Sequence, residues 1–399
     1  TGEETTPRWM PSSKNSLELD RIWCGEIQQH ITANIAYAVY FYWKWTQDHE
    51  FLKDYGVEIL LDTARFWSSR VEWNTSHKQF EITNVIGPDE YHLHINNNAY
   101  TNWLVKWNLA TAAWALEWLE EYDHDQADRL KAKLHITQND IERWQMISQK
   151  IVFPQNSSTR IIEQFDGFFT CEDVNIVEFE PRYQSMQNIM GVQRTQQYQV
   201  IRQPDVLMLF YQMQNKFEES DLIANWDYYA PRTDIQYGSA VGYAIHSTLA
   251  AQLEDKSTSA DYFQEAANLD LQGNRANINE GVHLGNAGAV WQAVIFGFAG
   301  LTHTVDGYKI KNRLPDHWSR LSFTIQINGH PYHLMIDNPD STLKPKQKVI
   351  KSIPAKNEIN LNPSKEFILK QQRAYNTLVR NLAGMSYRCK NNHKRTMVS

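Results

Sequence analysis

Six consecutive residues, Gly87-Pro88-Asp89-Glu90-Tyr91-His92, bring together two carboxyl groups, a phenol and an imidazole. His94 and the amides of Asn96, Asn97 and Asn98 complete the same dozen positions. That chemistry suits the handling of a sugar. Breaking an acetal needs a proton for the leaving oxygen, and a carboxyl group supplies it when burial or a nearby negative charge holds the proton on. Glu90 is the candidate general acid. Asp89 beside it and an incoming anionic nucleophile would each supply such a charge, and the Pro88 ring stiffens the turn. Composition alone also fits, and favours, a plain solvated loop.

Four further clusters carry groups of the right kind. His283 lies in NEGVHLGNAG, ahead of an apolar run, where Gly281, Gly285 and Gly288 allow a close approach of backbone to ligand. An imidazole beside the free amides of a helix start makes an anion site. Gly238 and Ser239 in QYGSAVGYAIHS likewise open a helix and offer amides and a hydroxyl, although an ordinary N-cap serine explains them as well. Neither segment has the P-loop pattern. Arg202-Gln203, in QVIRQPDVLMLF, pairs a fork for phosphate with an amide for sugar hydroxyls. Trp23, Glu26 and Gln28, and Glu163, Gln164 and Asp166, are polar groups flanked by aromatics.

The elements that must position these groups are mostly helical. Apolar residues recur at helical period from Ile31 to Tyr42, from about Phe51 to Trp73, from Tyr100 to about Glu121 and near Ile141–Ile151. A long irregular stretch, Phe153–Ser185, follows. Helices are expected again over Gln199–Met213, Phe217–Trp226, Ala240–Leu253, Ser259–Leu269 and Leu284–Leu301, the last containing the apolar run Ala287–Leu301, which reads as a buried helix. Helices of similar length joined by very unequal loops suit a helical toroid with its long loops at one end, and no fixed-period repeat is present. Alternation at Leu321, Phe323, Ile325 and Ile327 and at Tyr332, Leu334 and Ile336, around Asn328-Gly329, predicts a β-hairpin. The expected domains are 1–303, helical and catalytic, 304–340, a small β element, and 341–399, a basic tail with a possible helix over Phe367–Leu382.

Composition narrows the function. The net charge of −7 is unevenly spread: 13 Lys+Arg stand against 2 Asp+Glu from residue 343 onward, which leaves 26 against 44 before it, a body near −18. Such a body argues against nucleic acid as its partner. Cys24, Cys171 and Cys389 have no CxxC spacing, which fits a reducing cytoplasm and argues against a disulfide framework or zinc site. The longest apolar run, Ala287–Leu301, is too short to span a bilayer. The opening TGEETTPRW lacks the regions of a signal peptide, and the missing initial Met points to a fragment or a processed product. The 14 Trp residues either line a sugar groove or fill the core, and the core is the default for each.

Together these segments resemble glycoside hydrolase family 65, the disaccharide phosphorylases acting on kojibiose, maltose, trehalose and nigerose. The resemblance runs from residue 1 to about residue 337, through TARFWSSRVEWN, NVIGPDEYHLHINNNAYTN, RIIEQFDGFF, QVIRQPDVLML, DYYAPRT, IHSTLAA, EGVHLGNAGAVWQAVIFGFAGL and RLPDHWSRLSFTIQING. It implies an (α/α)6 barrel with a small C-terminal β-sandwich. It also implies inverting phosphorolysis with phosphate as co-substrate, without a metal or organic cofactor, and commonly a homodimer. Glu90 matches the family's general acid. Gly238, Ser239 and His283 match its phosphate site, and Arg202 and Gln203 match a Lys-Gln pair on the donor sugar. DYYAPRTDIQYGSAVG looks closer to kojibiose phosphorylases than to maltose phosphorylases.

Departures from the family pattern are Arg202 for Lys, Pro204 for Ala, Ala240 for a second Ser, and Asn34 and Asn96 for Asp. The family's N-terminal β-sandwich, linker and first barrel helices, with the Trp-Asp segment that holds the donor glucose, are not matched. A trehalase-like hydrolase of the same fold and a degenerate carbohydrate-binding homologue are the alternatives to a phosphorylase.

Overall fold

The computed structural model describes residues 6–11, 19–156, 158–213, 216–271, 281–304 and 307–338. The basic tail and its expected helix lie outside the described residues. The chain is mainly α. Its principal helices are α1 (Ile31–Thr46), α2 (Val57–Arg70), α3 (Ala99–Tyr122), α4 (His124–Leu134), α5 (Gln138–Lys150), α6 (Asp205–Gln212), α7 (Glu219–Tyr229), α8 (Gly242–Gln252), α9 (Lys256–Asn268) and α10 (Leu284–Gln292). Among the described residues, eight strands pair antiparallel in four two-stranded sheets: β1 (Trp9–Pro11) with β2 (Leu19–Arg21), β3 (Glu72–Asn74) with β4 (Gln79–Glu81), β5 (Thr302–Thr304) with β6 (Gly307–Lys309), and β7 (Arg320–Ile327) with β8 (His330–Asp337). No helix among the described residues is long and apolar enough to cross a membrane.

The helices pack in succession. Helix α1 meets α3, α3 meets α6, α6 meets α8, and α8 meets the π-helical turn Ala293–Phe298 that continues α10. Phe296 then returns to Phe41 of α1, ring centroids 6.0 Å apart, so the succession closes on itself. Helices α2 and α5 lie against α3, α7 against α6, and α9 against α8. Between α1 and α3 the filling is aromatic: Tyr40 meets Trp107 at 5.5 Å and Trp43 meets Trp114 at 4.9 Å. These tryptophans therefore do core work, which buries large area at little entropic cost.

Local chemistry sets the helix starts. Asn98 accepts the Thr101 amide at 2.9 Å as the N-cap of α3, Asp123 caps α4 at the end of α3, and Thr137 and Asp140 form a capping box on α5. At the hairpin, Asn328 (φ 50°) and Gly329 (φ 73°) take the left-handed conformations that a two-residue turn between twisted strands requires. Phe323 and Ile325 of β7 then pack with Phe41, Trp45 and Phe296 of the helical body.

Three expectations are corrected, and one helix was missed. The helix expected over Gln199–Met213 begins only at Asp205. Pro204 disfavours helical backbone in the residue before it, and Ile201 instead exchanges bonds with Arg232 and Asp234. Helix α4 was not anticipated, and the helix expected to run to about Trp73 ends at Arg70, where the backbone turns extended at Val71 and the β3–β4 hairpin takes over. The run Ala287–Leu301 is mostly buried only from Ala293, with Val294 half-buried: ahead of it Leu284 is 79% exposed and Trp291 49%, because no described element covers that face of α10.

Candidate active site

The site residues converge because they share one structural address. Gln28 precedes α1, the Glu90 loop precedes α3, Arg202-Gln203 precedes α6, Ser239 precedes α8 and His283 caps α10. Gln28, Arg202, Ser239 and His283 lie within three residues of the first turn of their helices, and Glu90 nine residues ahead of α3. Helix starts carry the positive ends of the helix dipoles, which favour an anion.

Glu90 faces outward with 28% of its side chain exposed. Its Oε2 pairs with the guanidinium of Arg202, and its Oε1 accepts from Gln28 Nε2 at 3.3 Å. The same Gln28 amide reaches the Gly87 carbonyl at 3.4 Å. The Arg202 Nε–H approaches the Gly238 carbonyl at 3.5 Å, so one side chain spans from the candidate acid to the Gly238-Ser239 loop. Gln203 makes no side-chain hydrogen bond to any described residue. Cys24 lies beside this group. Burial first and Glu90 second push its thiol up to about 11, against the opposing pull of Arg202.

Asp89 does not act as the neighbouring charge that the sequence suggested. Its carboxylate is 1% exposed and points into the interior. There Oδ1 accepts the amides of Tyr91 (3.2 Å) and Arg202 (2.7 Å), while Oδ2 accepts from Gln164 (2.9 Å) and faces His92 Nδ1 at 2.7 Å. The other ring nitrogen of His92 faces the Tyr198 carbonyl at 2.9 Å. Tyr91, on the far side of Glu90, is buried too and gives its hydroxyl to Asp234 Oδ2 at 2.7 Å. Burial and the charge of Asp234 push that phenol well above its ordinary range.

On the anion side, Gly238 fits only as glycine: a Cβ there would lie 2.4 Å from the Asp234 carbonyl oxygen and 2.5 Å from that of Arg202. Ser239 is nearly buried, and its carbonyl accepts the Gly242 amide at 3.1 Å. A Cβ on Gly285 would lie 3.4 Å from Val241, so the starts of α10 and α8 are adjacent and bring His283 to the Ser239 side. His283 is not wholly free. Asp270 takes its amide at 3.0 Å and its Nδ1 at 2.7 Å, which fixes the ring and holds the Asp270 carboxyl below its usual range.

The other sequence candidates have local partners. Glu26 pairs with Arg21, whose guanidinium lies 4.2 Å from the Trp23 ring centre. Glu163 accepts the Phe169 amide, and Asp166 accepts from Asn97. Asn34 and Asn96 act as acceptors, from the Tyr100 hydroxyl and the Asn84 amide, as an Asp would in their places. Asp205, Asp234 and Arg182 were not anticipated. Arg182 and Asp234 form a buried ion pair of 2.6 Å. The only sequence signal was an acid near each binding motif: Asp205 just after Arg202-Gln203, where it reads as an ordinary helix-start residue, and Asp234 just before Gly238-Ser239, where it reads as a loop acid. A separate cleft of about 630 Å³ between α2 and α5 draws nothing from these loops, and its arginines are committed, Arg65 to Asp62 and Arg143 to Ser68.

With this geometry in view, residues 1–292 match the glycosyl hydrolase family 65 central catalytic domain. The chain belongs to that family. A kojibiose phosphorylase of Halothermothrix orenii is 36% identical over 338 residues, 85% of this chain and 43% of the relative. One of Thermoanaerobacter brockii is 35% identical over 347 residues, 86% of this chain and 44% of the relative. A solved structure from the human microbiome, provisionally named a kojibiose phosphorylase, superposes with a TM-score of 0.71 at 28% identity, covering 82% of this chain and 47% of its own. This family 65 chain thus spans less than half the length of the curated relatives it matches.

Proposed function

We propose that this family 65 chain carries the catalytic machinery for inverting phosphorolysis of an α-linked glucosyl disaccharide, kojibiose-like in its linkage. Its helices would then be part of an (α/α)6 barrel, its C-terminal hairpins part of a β-sandwich, and its place of work the cytoplasm. The observation that supports the reading is the reach of Arg202 from Glu90 to the Gly238 carbonyl, which joins the carboxyl group proposed as the acid to the loop proposed to hold phosphate.

The steps follow from those positions. Glu90 gives its proton to the glycosidic oxygen, which replaces Arg202 or Gln28 at the carboxyl group. The bond from the anomeric carbon to that oxygen breaks, and the second sugar leaves with the proton. Phosphate, held by the Gly238 and Ser239 segment and by His283, forms the new bond from the opposite face and gives β-glucose 1-phosphate. It stands where an inverting hydrolase uses water and a second carboxylate. Arg202 and Gln203 hold the donor sugar, with no cofactor in any step.

The test is release of glucose 1-phosphate from kojibiose, maltose, trehalose and nigerose, with and without phosphate. Phosphate-dependent release is expected, with kojibiose the best substrate, and Glu90→Gln is expected to abolish it. Equal glucose release with and without phosphate would establish a hydrolase instead. Sugar binding without turnover in any of the four would establish a degenerate binding protein.

A further inference from the structure

Two buried carboxyl groups cross between the two loops that carry the proposed chemistry. The Asp89 amide donates to Asp205 Oδ1 at 2.7 Å, and the Arg202 amide donates to Asp89 Oδ1 at 2.7 Å. Each loop therefore lends a backbone N–H to a carboxyl group of the other. Asp205 Oδ2 takes the Asn98 amide group at 2.7 Å, and Asn98 Oδ1 caps α3 through Thr101. The backbone presses close here: a Cβ on Gly87 would lie 2.2 Å from Asp205 Oδ2 and 2.5 Å from Asn98 Nδ2.

As a source of stability this is a costly arrangement. Both carboxyl groups are out of water, and burial together with the charge of Asp89 pushes the Asp205 carboxyl well above its usual range. Buried charges of this kind return little net stability against apolar replacements. What they do fix is geometry. Glu90 follows one braced residue directly, and Arg202 is itself braced through its own amide. Their side chains meet in the ion pair.

We propose that Asp89, Asp205 and Asn98 form a reciprocal brace of positioning residues that sets the proposed acid, Glu90, against the donor-binding Arg202-Gln203 loop. This rests on the phosphorolysis reading for its catalytic consequence, but not for its geometry. A misplacement of about 1 Å between reacting groups costs on the order of 100-fold in rate, so the brace should be read in kcat rather than in KM.

The deciding experiment is a swap. Asp205→Asn turns an amide N–H toward the amide of Asn98, and Asn98→Asp sets a second carboxyl against Asp205, so each single variant breaks the junction. The double variant, Asn98→Asp with Asp205→Asn, restores the bond between positions 98 and 205 with donor and acceptor exchanged and keeps the acceptors of the Asp89 and Thr101 amides. It gives up only the long bond from Asn98 to the Gln164 carbonyl, 3.4 Å, and a carboxylate at the start of α3 is as good an N-cap as the amide it replaces.

Each single variant is expected to lose about 100-fold in kcat, with KM for phosphate within about threefold, and the double variant to recover to within about tenfold of the parent. Hydrogen exchange of the Asp89 and Arg202 amides, read in the full chain, reports the brace whichever sugar chemistry proves correct. Both amides should lose protection in Asp205→Asn, although Arg202 does not touch Asp205, and regain it in the swap. An Arg202 amide as protected in Asp205→Asn as in the parent would overturn the brace. So would a double variant no better than the worse single one. If the parent has no phosphate-dependent turnover, the phosphorolysis reading fails and the exchange data alone decide the brace.

Discussion

The Tyr91 hydroxyl donates to Asp234 Oδ2 at 2.7 Å, and the same oxygen takes the Met186 amide at 2.8 Å. Tyr91 adjoins Glu90, and the Asp234 carbonyl accepts the Gly238 amide at 2.7 Å. The contact therefore ties the acid-bearing loop to the loop proposed to hold phosphate. Removing the hydroxyl leaves a buried carboxylate, still paired with Arg182, one donor short. Tyr91→Phe is expected to lower unfolding stability by about 1–3 kcal/mol, the range for a buried hydrogen bond to a charged group. Urea unfolding followed by circular dichroism measures it, and a change under about 0.5 kcal/mol would show that the bond is not made.

Gly238 offers a sharper probe of the anion side. The two nearest obstacles to a Cβ are backbone carbonyl oxygens, at 2.4 and 2.5 Å, which no side-chain rotation can move. Gly238→Ala must push the segment before α8 away from Arg202. The expected result is a rise of about tenfold or more in KM for phosphate, since a poorly placed amide or hydroxyl forfeits about one charge-assisted hydrogen bond. Initial rates against phosphate concentration test this. An unchanged KM would remove Gly238 and Ser239 from the proposed phosphate site.

The loop that carries the candidate acid stood out because its residues are chemically unusual, although their types alone do not separate an acid from a solvated loop charge, and helix positions were legible because periodicity survives tertiary packing. Boundaries failed where a single residue overruled the pattern, as Pro204 does at α6. The role of Asp89 was not legible. Its side chain reads as an exposed loop charge until the Arg202 amide and Gln164, 113 and 75 positions away, arrive to satisfy it. Asp205 and Asp234 were overlooked for the same reason. An acid at a helix start, as Asp205 is, or in a loop, as Asp234 is, is common, and only the fold reveals that these two are buried. The open face of α10 could not be read either, because an apolar run alone does not say which neighbour covers it.

Two imidazoles make stability depend on pH. Burial pulls His30 and His246 down to about 4 from an ordinary 6.5, so both fold as neutral rings. The unfolded chain binds these protons at higher pH than the folded chain does. Stability is thus complete above about pH 6.5 and is lost as pH falls toward 4, by on the order of 3 kcal/mol for each ring at the end of that window. Urea midpoints at pH 7.5, 6, 5 and 4.5 should fall steadily. Replacing His246 with Gln, which cannot take up a proton, should flatten the slope. A slope unchanged by that replacement would mean that His246 does not carry the dependence.

Cys24 reports on the site without any need for turnover. Its thiol is pushed up to about 11, by burial and then by Glu90, while Arg202 works against both. Since the thiolate is the reactive form, alkylation of Cys24 by iodoacetamide at pH 7.5 should run at least about tenfold slower than that of an exposed thiol of ordinary pKa, and should keep rising beyond pH 9. Glu90→Gln removes the second of the two upward pushes and leaves Arg202 in place, so Cys24 should react a few-fold faster in that variant. Peptide mapping by mass spectrometry separates Cys24 from Cys171 and Cys389. A Cys24 rate equal to that of the free thiol, or indifferent to Glu90→Gln, would place the thiol away from the carboxyl group and undo the local arrangement around the candidate acid.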